Sequence, residues 1–272
     1  MSRTIIPSNT HPGGIEARMP VSTLYDLSPG QIYSALFILG LLAWLLSTLA
    51  AGGGAIMFIP LASFLIPVKS VVPTISIAAT ISGVQRVWLY RTKINWKIIS
   101  WLMPGIITGS ILGAYLFAQI EADWLMLVIA LFLIVNVSHH YLSKKKYSFK
   151  MRVEYFLPAG FITAILSGIV GAAGPVLNPF YLNYDVVKEE MIGTKAFSSL
   201  VMQIVKIVAY GCFASISQEI LIYGLTVGAG ALFGNYVGKK LLKKLSDKRF
   251  KDFVNIMLLI TAALIIYKFA VK

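Results

Sequence analysis

Apolar runs close to twenty residues long fix the solvent of this chain before they fix its fold. IYSALFILGLLAWLLSTLA (residues 32–50) carries no charge, and WLMLVIALFLIVNVS (residues 124–138) carries none after Asp123. Each approaches the roughly 20 residues that a helix needs to cross a bilayer core. Inside lipid every backbone polar group must be paired within the structure, and helices of this length do so. With 57% of 272 residues hydrophobic and 13% charged, no soluble domain would hide the remaining apolar surface. The sequence therefore predicts an all-α polytopic membrane protein.

A glycine run interrupts this pattern at AGGGAIMFIP (residues 51–60), where three consecutive poor helix formers end the first apolar segment. Further segments run over residues 55–66, 71–90, 98–120 and 124–142, then 155–170, 175–184, 191–215, 220–242 and 250–269. The polar, basic stretch SKKKYSFKMR (residues 143–152) separates five from five. The domain division is accordingly a flexible tail at residues 1–30, a first membrane repeat at 31–142, a basic cytoplasmic linker at 143–153 and a second repeat at 154–272.

The two halves align at a constant offset of 120 positions: Ser47 with Ser167, Gly54 with Gly174, Thr74 with Thr194, Arg86 with Lys206 and Tyr90 with Tyr210. The glycine ladders follow with a one-residue slip, Gly109 matching Gly230. Link charges then swap sign between halves. In the first, residues 91–97 (RTKINWK) are basic and 119–123 (QIEAD) acidic; in the second, 216–219 (ISQE) lack a basic residue and 238–251 are heavily basic. Lys and Arg are retained in the cytoplasm, so equivalent links lie on opposite faces and the repeats have inverted topology. Each repeat must then cross an odd number of times. A hairpin broken at the glycines and followed by three transmembrane helices satisfies that count, with both termini outside the cytoplasmic membrane and both breaks drawn to one central cavity.

The net charge of +13 resides mainly in these links, which is the signature of topology and not of a nucleic-acid surface. The single cysteine, Cys212, and the lack of CxxC or His-rich spacing predict no disulfide framework, no metal and no cofactor. Asp and Glu are nearly absent from the spans, and no His/Asp/Glu constellation or Ser/Lys dyad stands at a catalytic spacing, so no enzyme activity is expected.

The glycine cluster followed by proline, its counterpart GAAGPVLNP, Thr74 and Thr194 after each hairpin, the tyrosine-then-basic link ending in NWK and the small-residue ladders together resemble the TauE/SafE sulfite exporter family, over roughly residues 32–267. The resemblance implies a transporter of small anions, chiefly sulfur oxyanions and organosulfonates such as sulfite. The chain departs from the family pattern at Ala172 and Ala173, where the first half has Gly52 and Gly53, and at Asn178 beside Pro179.

Broken helices in lipid normally line a cavity, and the second half-helix offers N–H groups and a partial positive charge to an anion. Gly52, Gly53, Gly54, Gly171 and Gly174 let a ligand approach the backbone, and Pro175 suits a first helical turn; the same glycines also serve close helix packing. Arg86 and Lys206 are intramembrane cations, placed either to attract an anion or to snorkel. Thr74, Ser76, Thr194 and Ser198 bring hydroxyls that either donate to an oxyanion or bond back to the helix. Gln203 and Asn178 add amides. The expected partners are a small anion and the lipid bilayer, with a second copy of the chain as a further candidate. The sequence reading is a secondary transporter working by alternating access; a channel-like anion facilitator and, behind it, an intramembrane enzyme are the alternatives.

Overall fold

A computed structural model describes residues 28–49, 54–121, 151–186, 188–214 and 216–242, together with 124, 128 and 131; several positions, including 174, 175 and 178, are described in backbone only. Gly52 and Gly53 lie outside the described residues, as do most of the fifth segment and all of the tenth. The described residues are helical, with no strand among them. α1 (Pro29–Leu49) is followed by the short α2 (Gly54–Ala62), which begins at the last glycine of the cluster, and by α3 (Val68–Tyr90). A 3-10 turn (Arg91–Lys93) leads into α4 (Trp96–Gln119), capped by Asn95, whose Oδ1 accepts from the Ile98 N–H at 3.1 Å. In the second half come α5 (Phe156–Val170), a 3-10 turn (Gly174–Leu177), α6 (Asn178–Asn183), α7 (Lys188–Phe213) and α8 (Gln218–Leu242).

Five of these helices are long and apolar enough to cross a membrane: those within Pro29–Thr48, Trp96–Gln119, Val153–Val170, Glu190–Phe213 and Gln218–Leu241. The 23-residue α3 has the length, but Lys69, Gln85 and Arg86 lower its hydropathy. Bulky apolar side chains such as Ile38, Leu42, Val208, Leu225 and Phe233 face outward, as a lipid-embedded surface requires.

The halves pack crosswise. α1 of the first half lies on α8 of the second, and α5 of the second lies on α4 of the first. Glycine ladders set both contacts. A methyl group on Gly105 or Gly109 would strike the carbonyl oxygens of Leu157 or Phe161, and one on Gly230 or Gly234 those of Phe37 or Leu41. The backbones touch, which is how small residues bring membrane helices together.

Phe37 and Leu41 stand 120 positions before Leu157 and Phe161; carried through that offset, these contacts pair Gly109 with Gly234 and Gly230 with Gly105, in place of the sequence pairing of Gly109 with Gly230. The physical reason is an added helical turn: thirteen residues separate the α8 cap Ser217 from Gly230, against ten from Asn95 to Gly105.

The ladders also give helix directions. Residue numbers climb together along α1 and α8, along α4 and α5, and along α3 and α8, where Gly224 and Gly228 sit on Ile77 and Ile81. α4 and α7 are parallel too, through ring contacts of Trp96 with Phe197 at 5.1 Å and Phe117 with Tyr210 at 5.1 Å. α3 and α7 run oppositely, Gly83 meeting Leu200 and Gly193 meeting the Tyr90 carbonyl. Thus α1, α3 and α8 point one way and α4, α5 and α7 the other.

Candidate functional site

α5 ends where the sequence predicts a break. Gly171 closes the helix at φ +95°, a left-handed conformation that side chains resist, and its N–H bonds to the Ser167 carbonyl. From α7, Lys206 reaches this end: Nζ donates to Ser167 Oγ at 3.1 Å and to the Gly171 carbonyl at 3.5 Å. Lys206 is 0% exposed. One turn along α7, the buried Tyr210 hydroxyl donates to the Gly168 carbonyl, and Ser76 stands beside it. Val72 and Ile75 of α3 flank Gly171.

The equivalent cation makes the equivalent bond. Arg86 Nη2 donates to Ser47 Oγ at 3.2 Å, so both pairs of the 120-residue alignment are joined in the same way. Arg86 has a second acceptor, Asn235 Oδ1 at 3.1 Å, and the Asn235 amide nitrogen donates to Ser82 Oγ at 3.0 Å and Gln85 Oε1 at 3.1 Å. Thr48 Oγ1 lies 2.7 Å from Asn235 Oδ1 and 2.9 Å from the Trp44 carbonyl. None of these partners of Arg86 or Lys206 is a carboxylate.

Arg86 and Lys206 stand at different depths in the bundle. With Gly83 opposite Leu200 on antiparallel helices, Lys206 stands level with Ile77, nine residues and about 13 Å from Arg86 along α3. A cavity of 230 Å³ opens instead at the end of the bundle, lined by Lys69, Ser70, Pro73, Phe117, Phe213 and Ile220 among others. Phe117 packs on Tyr210 and so stands between this cavity and Lys206.

The remaining predicted residues divide by how their polar groups are used. Ser76 Oγ bonds back to the Val72 carbonyl at 3.1 Å and Ser198 Oγ to the Lys195 carbonyl at 3.2 Å, the helix-internal role open to such hydroxyls. Thr194 Oγ1 accepts from the Asn95 N–H at 2.9 Å, while the Asn95 amide donates to Glu190; α4 and α7 are thereby joined at their starts. Thr74 Oγ1 and Gln203 Oε1 are buried without a hydrogen-bond partner. Gly54 opens α2, Gly174 and Pro175 lie in the 3-10 turn after the break, and Asn178 opens α6.

Asn235 is the residue that sequence reasoning missed. The signal was present: an amide inside an apolar helix needs partners, the reasoning that singled out Gln203.

The Sulfite exporter TauE/SafE model matches residues 36–265. The chain belongs to that family. No curated protein and no solved structure matches it. TauE/SafE membership together with the apolar helices makes the chain an integral membrane protein, and the family implies membrane transport of sulfur anions.

Proposed function

We propose that this protein is a secondary transporter for a small sulfur oxyanion or organosulfonate, sulfite being the first to test, working by alternating access between two inverted repeats of the cytoplasmic membrane. The observation that carries the reading is Lys206, wholly buried at the Gly171 break with no carboxylate among its partners. A buried cation without a counter-charge is costly, and a transported anion supplies that charge while it is bound. The backbone of residues 171–175 and the start of α6 complete the site, with glycine allowing close approach.

Inverted topology is supported by the helix directions. Each of the pairs α1 and α5, α3 and α7, and α4 and α8 holds one helix from each parallel set, and the matching bonds of Arg86 and Lys206 relate the halves residue by residue. The cavity at the bundle end, with Lys69 among its lining residues, would receive the anion from one face while the Phe117–Tyr210 contact closes the way to Lys206. Placing residues 91–97 inside puts that cavity, and both termini, outside.

Reconstituted proteoliposomes test the proposal. Sulfite flux should saturate and show counterflow; a flux that does neither would make the protein a channel. Lys206→Met should weaken apparent affinity for sulfite by about tenfold or more, the worth of one charge-assisted hydrogen bond. Wild-type affinity in that variant would overturn the site.

A further inference from the structure

The two cation sites are alike in their first bond and unlike in what surrounds it. At Arg86, the Asn235 oxygen accepts from the guanidinium, with the Thr48 hydroxyl within bonding distance, while its nitrogen has two acceptors. In the corrected ladder register the residue equivalent to Asn235 is Ser110 of α4. Ser110 Oγ is fully buried and has no hydrogen-bond partner.

Two further unpartnered groups lie in the same layer. Ser110 stands seven residues before Phe117, and Gln203 seven before Tyr210, on parallel helices whose Phe117 and Tyr210 rings touch. Thr163 stands one turn before Ser167 on α5, as Gln203 stands one turn before Lys206 on α7. Thr163 Oγ1 and Gln203 Oε1 are both buried and unpartnered. Three helices thus bring two hydroxyls and a carboxamide to the layer beside the lysine, each at a cost that partnering would remove. Among the described residues, no side chain supplies to Lys206 what Asn235 supplies to Arg86.

We infer that the mirrored sites have divided their roles: Asn235 fills the Arg86 site permanently with the protein's own oxygen, and the Lys206 site, with Ser110, Thr163 and Gln203, takes one oxyanion per transport cycle. This rests on the anion-transport reading and narrows it to one site and one cargo per protein. The hydroxyls donate to the oxyanion, and a half-turn of the Gln203 amide presents its NH₂ group in place of its oxygen.

The test uses the full chain in detergent, with sulfite, sulfate and thiosulfate as probes, and reads affinity, stoichiometry and Tm together. Thr163→Val and Ser110→Ala each remove a hydroxyl with little change of shape. Because an unpaired buried hydroxyl is a cost, both variants should raise the Tm of the anion-free protein by about 2–4 °C. Both should also bind the anion about tenfold more weakly. Asn235→Leu should do the reverse, lowering Tm and leaving affinity as in wild type. Titration of wild type should give one anion per chain. Unchanged affinity in both hydroxyl variants, weakened affinity in Asn235→Leu, or two anions per chain would overturn the inference while leaving anion transport standing. A wild-type protein indifferent to all three anions would overturn the transport reading as well.

Discussion

The Arg86–Asn235 contact allows its own energy to be measured. Asn235→Leu keeps the branching and the number of side-chain heavy atoms and removes the bonds from Arg86 Nη2 at 3.1 Å, to Ser82 at 3.0 Å and to Gln85 at 3.1 Å. Thr48 loses little, because the Trp44 carbonyl at 2.9 Å takes its proton. Hydrogen bonds between membrane helices average about 0.6 kcal/mol, with a maximum near 1.7. Three of them give about 2 kcal/mol, rising to about 4 because the Arg86 bond is charge-assisted and its loss leaves the guanidinium with Ser47. Arg86→Met removes only that shared bond and the one to Ser47. A double-mutant cycle over the two positions should therefore return a coupling energy of about 1–2 kcal/mol, so that the pair of substitutions costs less than their separate costs combined. Unfolding in mixed micelles with increasing denaturing detergent, followed by circular dichroism, measures each corner. A coupling energy below about 0.5 kcal/mol would mean that Arg86 and Asn235 act independently, and the account of a permanently filled site would fail.

Other substitutions probe the rest of the frame. Gly105→Val and Gly234→Val should each destabilise by about 1–3 kcal/mol or more, since the new side chain meets backbone that cannot yield; Gly211→Ala, with nothing within 4 Å, should be neutral or raise Tm in the same assay. Gly171→Ala has room, its nearest neighbours being at 3.5 Å, but the φ of +95° should cost about 1–2 kcal/mol and slow sulfite flux by disturbing the Lys206 acceptor. Asn95→Ala loses the α4 cap and the link to Glu190, and a Tm drop equivalent to about 1 kcal/mol is expected. Tags at either terminus should label from outside intact cells; protection of either would reverse the assigned orientation.

Much of the architecture was legible because lipid leaves few options. Span positions follow from the apolar runs, and the α5 end at Gly171 follows from glycine chemistry. The 120-residue offset aligned Ser47 with Ser167 and Arg86 with Lys206, since those residues lie on helices of equal spacing in both halves; that each cation bonds the serine of its own half is a finding of the structure. The same offset failed in the glycine ladders because α8 carries an added turn, which composition does not mark. Asn235 escaped because its partners come from α1 and α3, around 150 residues or more away in the chain. The separation of the two cation sites was hidden for a related reason: alignment equates residues without saying how far apart the equated places stand.

The crosswise packing of α1 on α8 and α4 on α5 has a consequence for biosynthesis. Among the described residues neither half covers its own glycine groove: the groove of α4 is closed by α5, and the backbone of α1 meets the ladder of α8. At about 5–20 residues per second, the stretch between the end of α1 and the start of α8 takes the ribosome on the order of 10–30 s. For that interval the Phe37 and Leu41 carbonyls of α1 lack the α8 glycines that pack on them in the folded protein. A chain cut in the basic linker should therefore yield two fragments that are degraded when made singly and accumulate only when made together.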